Sequence, residues 1–89
     1  MTEFTLACKN ISTRKGLHET LAKVMDFPDY YGGNLDALHD VLTEISEATL
    51  LIIEDYPALE DHLGKYAASF MRVLKDAAYE NDHLTIEYK

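Results

Sequence analysis

Three short β-rich runs, kept apart by stretches with helical periodicity, constrain this chain more than any other feature. Phe4, Leu6 and Cys8 alternate with Thr5 and Ala7, and Leu84, Ile86 and Tyr88 alternate with Thr85, Glu87 and Lys89. This period of two is the signature of strands with one apolar face. Thr49–Glu54, between them, is β-rich and almost continuously apolar, which predicts a central strand covered on both faces. The intervening segments repeat at 3.6 residues instead. Leu17, Leu21, Val24 and Met25 trace a first helix, with Ser12 or Thr13 as its N-cap and Pro28 preventing its continuation. Tyr30-Tyr31-Gly32-Gly33 reads as a loop, and Asn34 caps a second helix running to about Ile45 or Ser46. Pro57 suits the first turn of a short third helix that stacks Leu59 on Leu63 and stops at Gly64. Tyr66, Phe70, Val73 and Ala77 supply the buried stripe of a fourth, ending near Asn81. Strands joined through helices must cross over and lie parallel, with right-handed connections. The predicted fold is therefore α/β, a three-stranded parallel sheet packed by four helices.

Eighty-nine residues hold one hydrophobic core, so residues 1–89 are read as a single domain. No linker composition or internal repeat interrupts it. Cys8 is the only cysteine, which excludes an intrachain disulfide and a cysteine-based zinc site. The first residues lack the basic start and long apolar run of a secretory signal, and the longest apolar run is Leu50–Ile53. A soluble protein of the reducing cytoplasm, without membrane contact, is the expectation.

Sixteen acidic residues against eight Lys and Arg leave a net charge of −8. Such a chain is repelled by phosphate backbones, which argues against direct nucleic-acid binding. Between Lys23 and Lys65 there is no Lys or Arg, while that window carries ten acids. This is either charge that keeps a small protein soluble or a surface that steers a basic partner.

The second helix sharpens the choice. At 100° per residue, Leu35, Ala37, Leu38, Val41, Leu42 and Ile45 fall on one face; Asp36, His39, Asp40 and Thr43 fall on the other, with Glu44 at its margin. Asp36 and Asp40 are four residues apart, a like-charge spacing that costs about 0.2–0.5 kcal/mol in an isolated helix. Folding does not ask for this pair, although a solvated face tolerates it. Asp76, near the C-terminal end of the fourth helix, also opposes the helix dipole. It either pairs with Arg72 or extends the acidic surface of the second helix, if the two helices lie side by side. Of Tyr30 and Tyr31, one is expected to pack inward and the other to serve as an exposed anchor. Gly32 and Gly33 leave the backbone open to close approach. Asp36, His39 and Asp40 are weak metal ligands because His18, His62 and His83 are scattered and no second helix offers a matching pair. No nucleophile–base pair or phosphate loop is visible. Neither an enzyme nor a cofactor or metal site is expected.

The run Pro28-Asp29-Tyr30-Tyr31-Gly32-Gly33-Asn34-Leu35-Asp36-Ala37-Leu38-His39-Asp40 resembles the defining segment of the barstar family of ribonuclease inhibitors. Leu17-His18-Glu19-Thr20-Leu21, Leu84-Thr85-Ile86 and the order of elements are similar as well. The resemblance implies a monomer that forms a 1:1 complex with a basic ribonuclease and blocks its active-site groove. It implies that Tyr30, Asp36, Asp40, Thr43 and Asp76 contact the enzyme. Asp40 would be the central anchor on the groups that hold the scissile phosphate, with Asp36 and Asp76 on a further arginine. Gly32, Asn34, His39 and Glu44 complete the expected partner-binding set. The chain departs from the pattern at His39 and Ile45, where the best-known member carries tryptophans, at Glu44, which replaces a glycine, and at Asp76, which replaces a glutamate. The same fold serving as an acidic binding module for a partner that is not a ribonuclease is the alternative reading.

Overall fold

In the computed structural model, which describes residues Met1–Lys89, β1 (Thr2–Ala7), β2 (Thr49–Glu54) and β3 (Leu84–Tyr88) form one parallel sheet in the order β1-β2-β3. Phe4 pairs with Leu51 and Leu6 with Ile53, while Leu51 also pairs with Ile86 and Thr49 with Leu84. Side chains alternate across the sheet, so these rows share one face. That face meets the helices: Leu6, Leu51, Ile53 and Leu84 belong to the same buried cluster as Leu17, Leu21, Leu38, Leu42, Phe70 and Leu74.

The row Thr5–Ile52–Glu87 lies on the opposite face. Ile52 is only 6 % exposed, yet it stands outside the core cluster. The central strand is thus fully buried on its helical face and, on the other, buried at Ile52 and half-buried at Leu50 and Glu54. Both crossovers step in the same direction across the sheet, and right-handed connections then place every helix on one side.

The helices are α1 (Arg14–Met25), α2 (Leu35–Thr43), α3 (Tyr56–Leu63) and α4 (Lys65–Glu80). Thr13 caps α1, its hydroxyl accepting from the Gly16 amide at 2.9 Å. Asp26 closes that helix in the left-handed region, at φ 55°. α2 is shorter than its periodicity predicts. The Thr43 hydroxyl donates back to the carbonyls of His39 and Asp40, at 2.9 and 3.1 Å. Asn81 Nδ2 then donates to the Leu42 and Ile45 carbonyls at 3.0 and 2.9 Å. These side chains take acceptors that further helical amides would otherwise use, so the chain turns off toward β2.

Pro57 sits in the first turn of α3, and Gly64, at φ 58° and ψ −128°, joins α3 directly to α4. Few residues other than glycine tolerate that conformation. The fully buried stripe of α4 is Ala67, Phe70, Leu74 and Ala77, whereas Tyr66 and Val73 are half-buried. The helix is rotated slightly from its predicted orientation because the Tyr66 hydroxyl is bonded to His18 instead of being buried among apolar groups. No helix is long and apolar enough to cross a membrane.

Candidate functional site

Asn34 begins the site by capping α2, its Oδ1 accepting from the Ala37 amide at 2.8 Å. The cap orients the helix so that Leu38 and Leu42 are buried and Asp36, Asp40 and Glu44 are exposed. His39 and Thr43 are half-buried on the flank. That flank lies along α4, so the two helices are indeed side by side. His39 Nε2 lies 2.5 Å from Glu80 Oε2, and its Nδ1 lies 4.0 Å from Asp40 Oδ1. The hydrogen bond to Glu80 is the largest influence raising the His39 pKa, and the nearby charges of Glu80, Asp40 and Asp76 add to it. Asp76 makes no ion pair with Arg72; its charge acts instead on a histidine of α2. The acids of the two helices form one negative surface with His39 at the seam.

Glu80 is the residue that sequence reading passed over. Its signal was available, because it repeats from Asp76 the four-residue spacing that links Asp36 to Asp40. What was not legible is that Glu80 faces His39 across two helices 41 residues apart in sequence.

The loop before α2 rests on a buried polar bridge. Tyr31 packs inward, with its ring centroid 4.9 Å from that of Phe27 and its hydroxyl 2.6 Å from His18 Nδ1. Tyr30 points outward and is 80 % exposed. His18 is only 3 % exposed, and its Nε2 lies 2.6 Å from the Tyr66 hydroxyl, over whose ring Arg14 sits at 4.4 Å. Burial lowers the His18 pKa, favouring neutral imidazole. In that form one ring nitrogen donates to a tyrosine oxygen while the other accepts from a tyrosine hydroxyl. Three elements, α1, the loop and α4, are thereby tied at one point. Gly33 adopts φ +68°, and a Cβ on Gly32 would crowd Asn34 Nδ2 at 3.3 Å. The glycines therefore bring the exposed tyrosine close to the capped end of α2.

Asp36, His39 and Asp40 do not converge as a metal-ligand set. None of the exposed carboxylates of α2 has a Lys or Arg within 4 Å. The surface therefore offers fixed hydrogen-bond acceptors with unneutralised charge, suited to guanidinium or ammonium groups. The family model described as Barstar (barnase inhibitor) matches residues 1–89. The chain belongs to the barstar family. It is also similar to the Bacillus subtilis (strain 168) protein named "Putative ribonuclease inhibitor YrdF", 42 % identical over 65 residues that cover 72 % of this chain and 71 % of that one. The fold implied by the barstar resemblance, a three-stranded parallel sheet with four helices, is the fold observed.

Proposed function

We propose that this chain inhibits a basic ribonuclease of the extracellular type, as a monomer in a 1:1 complex, by laying the acidic face of α2 into the groove that binds the RNA phosphates. Asp40 is the central anchor, flanked by Asp36 and Asp76. Tyr30, Gly32, Asn34, His39, Thr43 and Glu44 complete the contact surface. The reading is carried by one observation: Asp36 and Asp40 stand exposed and without a Lys or Arg partner on a helix whose neighbour supplies Asp76 and Glu80. Carboxylates held in this way replace the phosphates electrostatically and undergo no reaction, so the protein turns nothing over. Membership of the barstar family and similarity to a protein named as a ribonuclease inhibitor support it. Cytoplasmic residence agrees with a free, buried Cys8; an immunity role, protecting the producing cell from its own or a competitor's nuclease, follows from that location. His39, Glu44 and Ile45 then select the cognate enzyme.

The test is a stoichiometric titration of RNA hydrolysis by a panel of basic microbial ribonucleases. The chain should abolish at least one activity at a 1:1 ratio. Asp40→Ala should weaken that inhibition by about 30-fold or more, the consequence of leaving buried charges without their partner at about 2–5 kcal/mol. Undiminished inhibition by Asp40→Ala would remove it from the centre of the interface. A chain that inhibits none of the panel leaves the acidic face to a partner of another class.

A further inference from the structure

Parallel strands linked by helices bring the C-terminal ends of α1 and α2 to the same end of the sheet, beside the first residues of β1 and β2. A groove of about 370 Å³ opens there, at the lower end of the range of about 300–1,000 Å³ for small-ligand sites. Its apolar surface is made by Phe4, Met25, Phe27, Val41 and Ile45. Its polar lining includes Asp26, Glu44 and Glu47, and no Lys, Arg or His. Two of these acids are helix caps, Asp26 closing α1 and Glu44 closing α2. Each helix end adds a partial negative charge of about half an electron to the groove. The last turn of α2 carries no basic side chain to offset it, and that of α1 carries Lys23, which does not line the groove. Aromatic rings, methylenes, carboxylates and two negative helix ends therefore meet in one cleft.

We infer that this groove binds an arginine side chain of the same basic partner that meets α2, with its methylenes on the apolar floor and its guanidinium among Asp26, Glu44 and Glu47. The partner's identity rests on the inhibitor reading; the site does not. Glu44 joins the two surfaces, since it lines the groove and also ends the acidic face of α2. Arginine fits better than lysine because guanidinium is the more weakly hydrated cation and stacks on aromatic faces such as those of Phe4 and Phe27.

The probe is n-butylguanidinium, titrated into the ¹⁵N-labelled full chain and followed by amide chemical shifts, with n-butylurea as the uncharged counterpart. Saturable shifts should centre on residues 25–27 and 44–47, and n-butylurea should produce none. Asp26→Asn and Glu47→Gln should each weaken binding about two- to fivefold, the range of an exposed ion pair. Asparagine also tolerates the left-handed conformation at position 26, so the variant keeps the helix end. Equal shifts from n-butylurea, shifts centred on residues 36–40, or a double variant with unchanged affinity would overturn the site. This titration contains no nuclease, so its outcome is independent of whether the chain inhibits one. With an inhibited ribonuclease in hand, the double variant should inhibit about four- to 25-fold less tightly, the product of the two single effects. Unchanged inhibition would overturn the placement of the partner's arginine there.

Discussion

Asp40 occupies a position where folding favours almost any other side chain. Its carboxylate repels Asp36 one turn earlier, and its nearest cationic neighbour is His39, at 4.0 Å. Asp40→Ala removes that repulsion and introduces a better helix former, while losing the weak attraction to His39. Stability in urea should therefore stay level or rise by a few tenths of a kcal/mol, as inhibition is lost. Marked destabilisation would reassign the carboxylate to a structural role. Buried His18 and half-buried His39 act in opposite senses with pH. The folded-state pKa of His18 lies below the ordinary 6.5, so below that pH the unfolded chain takes up the proton more readily. Its contribution is complete above pH 6.5 and is lost as pH falls toward its folded value. The His39 pKa is raised, so its contribution is present below pH 6.5 and is lost as pH rises through its folded value. Urea midpoints between pH 5 and 8 should show the acid-side slope diminished in His18→Gln and the alkaline-side slope diminished in His39→Gln. Cys8 is buried, and burial with the charge of Asp55 pushes its thiol up to about 11. Thiol reagents should label the native chain slowly and the urea-unfolded chain at once; rapid native labelling would mean that the end of β1 opens readily.

At the scale of elements, α2 is a short helix held at both ends by side chains. Asn34 caps its start, and Asn81 reaches from the end of α4 to two carbonyls at its finish. The same Asn81 oxygen accepts from the His83 amide at 3.0 Å, ahead of β3. One buried amide therefore aligns the acidic helix, its neighbour and an edge strand. Asn81→Ala strands those buried backbone groups and should cost about 1–3 kcal/mol in urea unfolding. Asn81→Asp should cost at least as much, because a carboxylate cannot donate to either carbonyl. A smaller loss of stability in the aspartate variant would show that the amide's donors do not hold α2.

For the molecule as a whole, one-sided packing separates two surfaces. The helical side presents the acids of α2 and α4, while the far face of the sheet is left to Thr5, Ile52 and Glu87. A net charge of −8, with no Lys or Arg between residues 23 and 65, should draw the proposed basic enzyme from distances beyond contact. Association can reach about 10⁸–10⁹ M⁻¹s⁻¹ at low salt under such steering. Stopped-flow mixing should show association slowing steeply as ionic strength rises, with dissociation changing less. An association rate indifferent to salt would dissociate the charge from the encounter.

Local rules were enough for much of this structure. Alternation placed the two outer strands and a continuous apolar run the central one, and Thr13, Asn34, Pro57 and Gly64 marked helix boundaries because capping and backbone preference act within a few residues. The motif from Pro28 to Asp40 was legible for the same reason, since its loop and helix are contiguous. Other features required the tertiary structure. The length of α2 depended on Asn81, 36 residues beyond the Ile45 carbonyl it caps. The face assigned to Ile52 depended on the hand and direction of two crossovers. The choice between Tyr30 and Tyr31 depended on His18, and the union of Asp76 and Glu80 with α2 depended on helix packing. Periodicity identifies which side chains share a face of one element. Which faces meet is decided only when the core closes, because those contacts join residues that no local interaction can bring together.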